Sequence, residues 1–100
     1  MRETFTRCLQ DEARNNENLV LITGDLGFGV LFPFMKEFPN RFINAGISEQ
    51  AMMSMAAGMA MEGKTVVVYS IGNFPTLRCL EQIRNCCAYH EANVKIVCVG

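Results

Sequence analysis

The sequence predicts an α/β fold in which a parallel sheet is flanked by helices. Segments of helical periodicity alternate with short runs of strand length, those runs are apolar at almost every position, and polar or glycine-rich loops separate them. Continuous apolar runs are typical of parallel strands that are covered on both faces. With 100 residues, 50% of them hydrophobic, the chain has the size of one domain or of a part of one.

The first half of the chain predicts two helices and two strands. An amphipathic helix is expected over residues 2–16, where apolar side chains recur at Phe5, Cys8, Leu9 and Ala13. The run LVLIT at residues 19–23 predicts a strand that is buried on both faces. Pro33 suits the first turn of a short helix at residues 32–38, and RFINA at residues 41–45 predicts a short second strand.

The second half predicts a long helix at residues 49–62, which Ser48 caps and Gly63 stops. β-Branched residues predict a third strand at residues 65–69, and helical spacing predicts a fourth helix at residues 76–89. The run VKIVCV at residues 94–99 predicts the last strand. Because the chain ends directly after a strand that looks central, we expect residues 1–100 to be the front part of a larger domain that is incomplete at its C-terminus.

Composition and charge narrow the classes of function. The formal net charge is −1 and no basic stripe is present, which argues against nucleic acid as a principal partner. No apolar window approaches the roughly 20 residues that span a bilayer, and the charged N-terminal residues lack the apolar core of a signal peptide. We therefore expect no membrane association and a cytoplasmic location. The five cysteines have no Cys-x-x-Cys spacing and favour buried free thiols over a metal site.

Three candidate site residues follow predicted strands, namely Asp25, Glu49 and Phe74. Ligands of open parallel sheets bind at the carboxyl ends of the strands, so we expect these residues at one edge. Glu49 is unusual because it begins an apolar helix, and a buried carboxylate needs a partner, a proton or a function. Spacing alone leaves two structural explanations open: Glu49 could be a helix N-terminal acid and Asp25 a turn residue.

The long helix at residues 49–62 is apolar on nearly every face, with methionines among alanines, a serine and a glycine. A helix of this kind is typically buried on all sides, and its small residues permit close approach of another helix. We therefore expect it to pack against a second chain or domain, and self-association through this helix is predicted. A central core helix within a complete monomer is the alternative.

Four blocks of sequence together resemble the pyrimidine-binding domain of the transketolase family, whose members use thiamine diphosphate. The blocks are GDLGFG, RFINAGISEQ, TVVVYSIGNFPTLRCLEQIRN and VKIVCVG. The resemblance implies that Glu49 contacts the aminopyrimidine ring of the cofactor and shares a proton with a ring nitrogen, which promotes loss of the thiazolium proton. It also implies that Phe74 packs on the pyrimidine ring, that Asp25 lies near the cofactor and that Ile47 forms an apolar wall. Ile71 stands where family members often have a second aromatic residue.

The resemblance further implies what a partner supplies. In the family, a separate domain or subunit holds the diphosphate and its magnesium through a Gly-Asp-Gly motif, which Gly24-Asp25-Leu26 does not match. We therefore expect no metal ligand in this chain and an N-terminal transketolase subunit as its partner. The implied reaction transfers a two-carbon ketol unit from a ketose phosphate to an aldose phosphate.

Four alternatives to that reaction remain. Within the superfamily they are a 1-deoxyxylulose-5-phosphate synthase and the beta subunit of a 2-oxo acid dehydrogenase. Outside it, they are a non-catalytic binding or assembly module and a nucleotide-binding domain that uses the GDLGFG loop at residues 24–29. That loop matches neither the G-x-G-x-x-G nor the P-loop pattern, so its indication of nucleotide binding is weak.

Overall fold

The computed structural model describes all 100 residues and contains one four-stranded parallel sheet with helices on both faces. The strands lie in the order β2-β1-β3-β4. In chain order the elements are α1 (Arg2–Asn15), β1 (Leu19–Thr23), α2 (Phe32–Glu37), β2 (Phe42–Asn44), α3 (Glu49–Met61), β3 (Thr65–Ile71), a composite helical segment at residues 77–88 and β4 (Val94–Val99). The predicted fold class is confirmed.

The sheet separates two apolar layers. All five residues of β1 are buried, and because successive side chains of a strand point to opposite faces, β1 and β3 contribute to both layers. One layer contains α3 and the composite segment, and its buried members are Val20, Ile22, Met52, Met53, Ala56, Ala57, Val66, Val68, Cys79 and Cys87. The other contains α1 and α2, and its buried members are Leu9, Ala13, Leu19, Leu21, Leu31, Phe34, Val67 and Tyr69.

The ends of α3 lie where Ser48 and Gly63 predicted them, but the expected side-chain cap at Ser48 is not formed. At its C-terminus the N–H groups of Gly63 and Lys64 donate to the carbonyls of Ala60 and Met59, each at 3.1 Å, and Gly63 has φ +98°. This is the Schellman arrangement, so Gly63 stops the helix as predicted. Ser48 occupies the N-cap position, but its side chain makes no capping bond; its hydroxyl donates to the Ala45 carbonyl at 2.9 Å, which keeps it from the helix N–H groups.

The predicted continuous helix at residues 76–89 is wrong. The segment consists of a 3-10 turn (Leu77–Cys79), an α turn (Leu80–Gln82) and a π turn (Ile83–Ala88). The 3-10 turn contains about three residues and the π turn about five, so the side chains of the segment do not follow a constant period of 3.6 residues. Leu77 and Leu80, which the period places on the buried side, are therefore 65% and 57% exposed.

Helix α3 is buried on one face only, and burial differs from expectation at two cysteines. The helix buries one face through Met52, Met53, Ala56 and Ala57, whereas its opposite face is exposed at Ala51, Ser54, Met55 and Gly58. All five cysteines are free thiols, and Cys79 and Cys87 are buried as predicted. Cys8 and Cys98 are exposed: Cys8 lines an open cleft between α1 and the sheet, and Cys98 lies on the edge strand β4. None of the helices combines the length and the apolar character needed to cross a membrane.

Candidate functional site

The carboxyl ends of the strands bring the predicted site residues to one edge of the sheet. Asp25 lies two residues after β1, Glu49 begins α3 after β2, and Phe74 follows β3. Their environments differ, since Glu49 is buried, Phe74 is half-buried and Asp25 is exposed. The common edge that the sequence predicts is therefore present, with Glu49 as its most enclosed acid.

Glu49 is 5% exposed and divides its two carboxylate oxygens between different surroundings. Oε1 accepts a hydrogen bond from Nη1 of Arg78 at 3.0 Å, whereas Oε2 accepts none from the chain. Oε2 faces Gly24, where an added Cβ would lie 3.8 Å from this oxygen and 3.0 Å from the Gly46 carbonyl oxygen. Glycine at position 24 thus lets the first and second loops approach closely around the free oxygen of Glu49.

Arg78 is the principal residue of the site that sequence reasoning missed. Its guanidinium lies over the Phe74 ring, 4.4 Å from the centroid, while it also bonds to Glu49. The backbone of Arg78 is held by Gln50, whose Nε2 donates to the Arg78 carbonyl at 3.0 Å. The one signal that could have found Arg78 is the need of a buried acid for an opposite charge, which the nearest later loop supplies.

A second residue that the sequence did not single out, Asn44, connects the loops after β1 and β2. Its Oδ1 accepts hydrogen bonds from the N–H groups of Asp25 and Gly46, at 2.9 and 3.0 Å. Asp25 itself has φ +58°, a left-handed conformation that is uncommon outside glycine and often marks a functional loop. The turn role that spacing allowed for Asp25 agrees with this geometry.

The remaining predicted residues are more dispersed. Ile47 is 78% exposed and has no enclosed position beside Glu49. Glu49 opens into a cleft of about 400 Å³ that is otherwise lined by Ser48, Gln50, Ala51 and Arg78. Asp25 lines a different cleft, of about 330 Å³, together with Ile71 and residues of the glycine loop. The chain alone therefore places Glu49 and Asp25 in two separate clefts.

Cys79 lies below the site and is not suited to nucleophilic chemistry. Its Sγ donates to the Phe74 carbonyl at 3.3 Å. Burial raises the pKa of the Cys79 thiol, the charge of Glu49 raises it further, and Arg78 opposes the rise. Since the thiolate is the reactive form, Cys79 is a structural thiol that supports the Phe74 loop.

The site can accommodate a planar group with hydrogen-bonding nitrogens. The guanidinium of Arg78 is such a group, and it reaches both the Glu49 carboxylate and the Phe74 ring face. Glu49 also retains a free oxygen beside Gly24, where the absence of a side chain leaves space. No group of three or more His, Cys, Asp or Glu side chains is placed to hold a metal ion.

Comparison with known proteins gives a consistent result. The sequence model of the family described as "Transketolase, pyrimidine binding domain" matches residues 1–100. A protein of Methanocaldococcus jannaschii described as a transketolase C-terminal section is 46% identical over 98 residues, which cover 97% of this chain and 31% of that protein. One of the subunits of apulose-4-phosphate transketolase from Phocaeicola vulgatus is 39% identical over 100 residues, covering 99% of this chain and 32% of that protein.

A solved structure and a second group of enzymes extend the comparison. The structure, described as a split-gene transketolase in an inactive beta4 tetramer, has a TM-score of 0.86 and 36% identity, and the match covers 95% of this chain and 32% of that chain. Synthases of 1-deoxy-D-xylulose 5-phosphate are also among the similar proteins. The chain spans about a third of the length of both transketolase relatives.

Proposed function

The chain belongs to the family of transketolase pyrimidine-binding domains, and from this membership we propose that it is the pyrimidine-binding part of a split, thiamine-diphosphate-dependent transketolase. The proposed reaction transfers a two-carbon ketol unit from a ketose phosphate to an aldose phosphate. The observation that carries the proposal is the bridge of Arg78 between Glu49 and Phe74, which occupies the contacts that an aminopyrimidine ring would need.

The cofactor, when bound, would supply the nucleophilic carbon and the electron sink of the reaction. The protein residues that we propose to hold its pyrimidine are Glu49 and Phe74. Glu49 is suited to exchange a proton through its carboxyl, because it is buried and has one oxygen free of other partners. Phe74 offers a ring face, and an offset aromatic contact is worth about 0.5 to 1.5 kcal/mol beyond burial.

Arg78 has to yield its position for that contact to form. Its side chain is 49% exposed, so the guanidinium can turn towards solvent without leaving a buried cation. Asp25 and Ile47 are proposed as secondary contacts near the cofactor. Asp25 adjoins the Glu49 loop through Asn44, and the exposed Ile47 would be covered only when a partner encloses the site.

A partner is proposed to complete the site. On the segments that carry the Glu49 cleft, large apolar side chains are exposed in the isolated chain, at Ile47, Met55, Leu77 and Leu80. We propose that an N-terminal transketolase subunit holds the diphosphate and its magnesium, and that helix α3 contributes to self-association. Residues 1–100 would then be the front part of a larger pyrimidine-binding domain.

The five free thiols agree with a reducing compartment, and the proposal places the enzyme in the cytoplasm.

The experiment that tests the proposal combines this chain with a candidate diphosphate-binding subunit, thiamine diphosphate and magnesium. Ketol transfer from a ketose phosphate is expected with the wild type. Glu49→Gln is expected to lower kcat by about 10² to 10⁴, the usual contribution of a positioned acid–base group. The matched control is Glu62→Gln at the other end of α3, which should leave kcat unchanged. Equal activity of wild type and Glu49→Gln contradicts the mechanism.

The similarity to 1-deoxy-D-xylulose 5-phosphate synthases favours a second candidate reaction. The same reconstituted complex would then form product from pyruvate and an aldose phosphate, with release of carbon dioxide, and would not need a ketose donor. Release of carbon dioxide that depends on pyruvate identifies this candidate. Activity with neither donor set, together with a stable complex, would instead support a non-catalytic assembly module.

A further inference from the structure

The side-chain amide of Asn44 joins the two loops on which Asp25 and Glu49 stand. Its Oδ1 accepts from the N–H groups of Asp25 and Gly46. Its other end is also engaged, since Nδ2 donates to Oδ1 of Asp25 at 3.3 Å. Water could satisfy each of these groups separately. A single amide that bonds to both neighbouring loops also connects them, which separate waters would not do.

Both loops lie beyond the last paired residues of the sheet and need support from outside it. The β1–β2 ladder ends at Thr23 and Asn44, after which one further backbone bond joins Ala45 N–H to the Thr23 carbonyl at 2.8 Å. Asp25 and Gly46 then adopt φ +58° and +76°. A conformation of this kind at a non-glycine residue persists where its surroundings fix it, and Asn44 supplies the acceptor that does so.

The connection from Gly46 to Glu49 is short. The N–H of Ser48 donates to the Gly46 carbonyl at 3.0 Å, and Glu49 follows as the first residue of α3. The same Gly46 carbonyl lies against Gly24, at the point where the Glu49 carboxylate has its free oxygen. A shift of Gly46 therefore changes the place of the Glu49 carboxyl relative to the first loop.

We propose that Asn44 is a positioning residue that fixes the Asp25 loop to the turn before Glu49 and thereby sets the place of the Glu49 carboxyl. This inference rests on the proposed function for its catalytic meaning. In this role Asn44 acts through its bonds to Asp25 and Gly46. Only an amide meets both requirements at this position, since a carboxylate accepts the two N–H bonds but cannot donate to Asp25.

The chain offers a matched control in Asn16, at the opposite end of the strands. The Asn16 amide is likewise engaged at both ends and makes two bonds where Asn44 makes three: Oδ1 accepts from the N–H of Asn18 at 3.0 Å, and Nδ2 donates to Oγ1 of Thr65 at 3.1 Å. Asn16→Ala therefore removes two side-chain bonds of the same kinds as the three that Asn44→Ala removes, and both variants should lower stability. Only Asn44→Ala removes bonds at the carboxyl edge.

The first readout is the solvent exchange of backbone amides, measured by NMR on wild type and variants. Asn44→Ala should speed exchange at Asp25 and Gly46 together, by about tenfold, and should shift the Glu49 amide resonance. Asn44→Asp should restore protection at Gly46 but not fully at Asp25, where two carboxylates then face each other. Unchanged exchange at either amide in Asn44→Ala, or an equal shift of Glu49 in Asn16→Ala, overturns the inference.

The second readout is the affinity of the reconstituted complex for thiamine diphosphate. Asn44→Ala should weaken it about tenfold, whereas Asn16→Ala should leave it unchanged. Wild-type affinity in Asn44→Ala refutes the positioning role. If the amides respond as expected but the wild-type complex binds no cofactor, the proposed function fails and the connection between the loops stands. If the wild-type complex binds the cofactor but the amides do not respond to Asn44→Ala, the positioning role of Asn44 is rejected and the proposed function stands.

Discussion

At the scale of single residues, the Glu49–Arg78 pair decides how the site behaves without a ligand. The Glu49 side chain is 6% exposed and that of Arg78 is 49% exposed, so the carboxylate bears most of the cost of burial. A half-exposed guanidinium gains little from an ion pair in water, whereas a buried carboxylate that loses its partner is strongly destabilised. The ion pair therefore stabilises the buried Glu49 carboxylate more than it stabilises the half-exposed Arg78 guanidinium.

This asymmetry predicts the effect of Arg78→Met. The variant keeps an unbranched side chain of similar length but leaves Glu49 without a charged donor. We expect the free energy of unfolding to fall by about 1 to 3 kcal/mol, towards the lower part of that range because solvent reaches Arg78. Urea unfolding measures the change, and Arg84→Met, on the exposed side of the π turn, should stay within about 0.5 kcal/mol of wild type.

A second substitution separates charge from packing in that result. Adding Glu49→Gln to Arg78→Met removes the buried charge that lacks a partner, so the double variant should recover part of the lost stability. A double variant that is less stable than Arg78→Met would mean that the ion pair is not the source of the loss. The residue-scale interpretation would then have to rest on the contact between Arg78 and Phe74.

At the scale of elements, sequence reasoning succeeded where a pattern is local. The limits of β1 and β4 were predicted correctly, because an asparagine precedes and a glycine follows each of the two largely apolar runs. The stop of α3 was predicted correctly because a glycine at that position has a known backbone role. The composite segment at residues 77–88 was not predicted, since a constant helical period was assumed for a segment that contacts α3 through tighter and wider turns.

Sequence reasoning about the site was limited in the same way, because it succeeded only where a local pattern or the strand order was enough. Placing Asp25, Glu49 and Phe74 at one edge required only the order of parallel strands. The roles of Arg78 and Asn44 depend on contacts across 29 and 19 positions of sequence. Nothing in the local sequence around either residue signals these contacts, because they arise when separate loops approach in the folded chain.

Two glycines, one inside α3 and one just after its C-terminal end, give an element-scale prediction. Gly63→Ala has open space around its new Cβ, so its cost comes from the backbone at φ +98° and should be about 1 kcal/mol of unfolding free energy. Gly58→Ala, also with open space but in the helix interior, should raise stability by about 0.5 to 1 kcal/mol. Thermal unfolding of the two variants tests the opposite signs. Stabilisation by Gly63→Ala would contradict the assigned helix stop.

The buried thiols of the composite segment predict a dependence on alkaline pH. Burial raises the pKa of the Cys79 and Cys87 thiols. At Cys87 the neighbouring thiols raise the pKa further, whereas at Cys79 the charge of Arg78 opposes the rise. Below the ordinary thiol pKa of about 8.5, both folded and unfolded states keep these protons; above it, only the unfolded state releases them. Stability should therefore fall as the pH rises beyond about 8.5.

Cys87→Ala is expected to reduce that alkaline loss, whereas Cys8→Ser at an exposed thiol should not. Urea midpoints at pH 7 and pH 10 give the comparison. Native labelling at pH 8 offers an independent check, with Cys8 and Cys98 reacting rapidly and the two buried thiols reacting only after unfolding. Rapid native labelling of Cys87 would show that its burial is transient.

At the scale of the whole molecule, the two faces of the sheet are unequal in what they expose. On the α1 and α2 layer, charged contacts join the two helices, and in them Arg14 bonds to Glu37 at 2.6 Å and to Asp11 at 2.6 Å. The α3 layer instead presents an uncharged face at Ala51, Ser54, Met55 and Gly58. Charged residues are depleted at the core of protein interfaces, so this composition favours the α3 face for association.

Met55→Lys tests that assignment. The residue is 39% exposed, so a lysine can extend into solvent in the isolated chain and should change the unfolding free energy by less than about 0.5 kcal/mol. In an assembly that uses α3, the same lysine would be buried without a partner, and the dissociation constant should rise about thirtyfold or more. Phe32→Lys, a similar change at a 52% exposed residue on the opposite layer, is the matched control. Sedimentation velocity across a concentration series distinguishes the outcomes. Association that is weakened in Met55→Lys alone places the contact on α3. Association that is weakened in Phe32→Lys alone would place the contact on the α1 and α2 layer and leave the Glu49 cleft outside the interface.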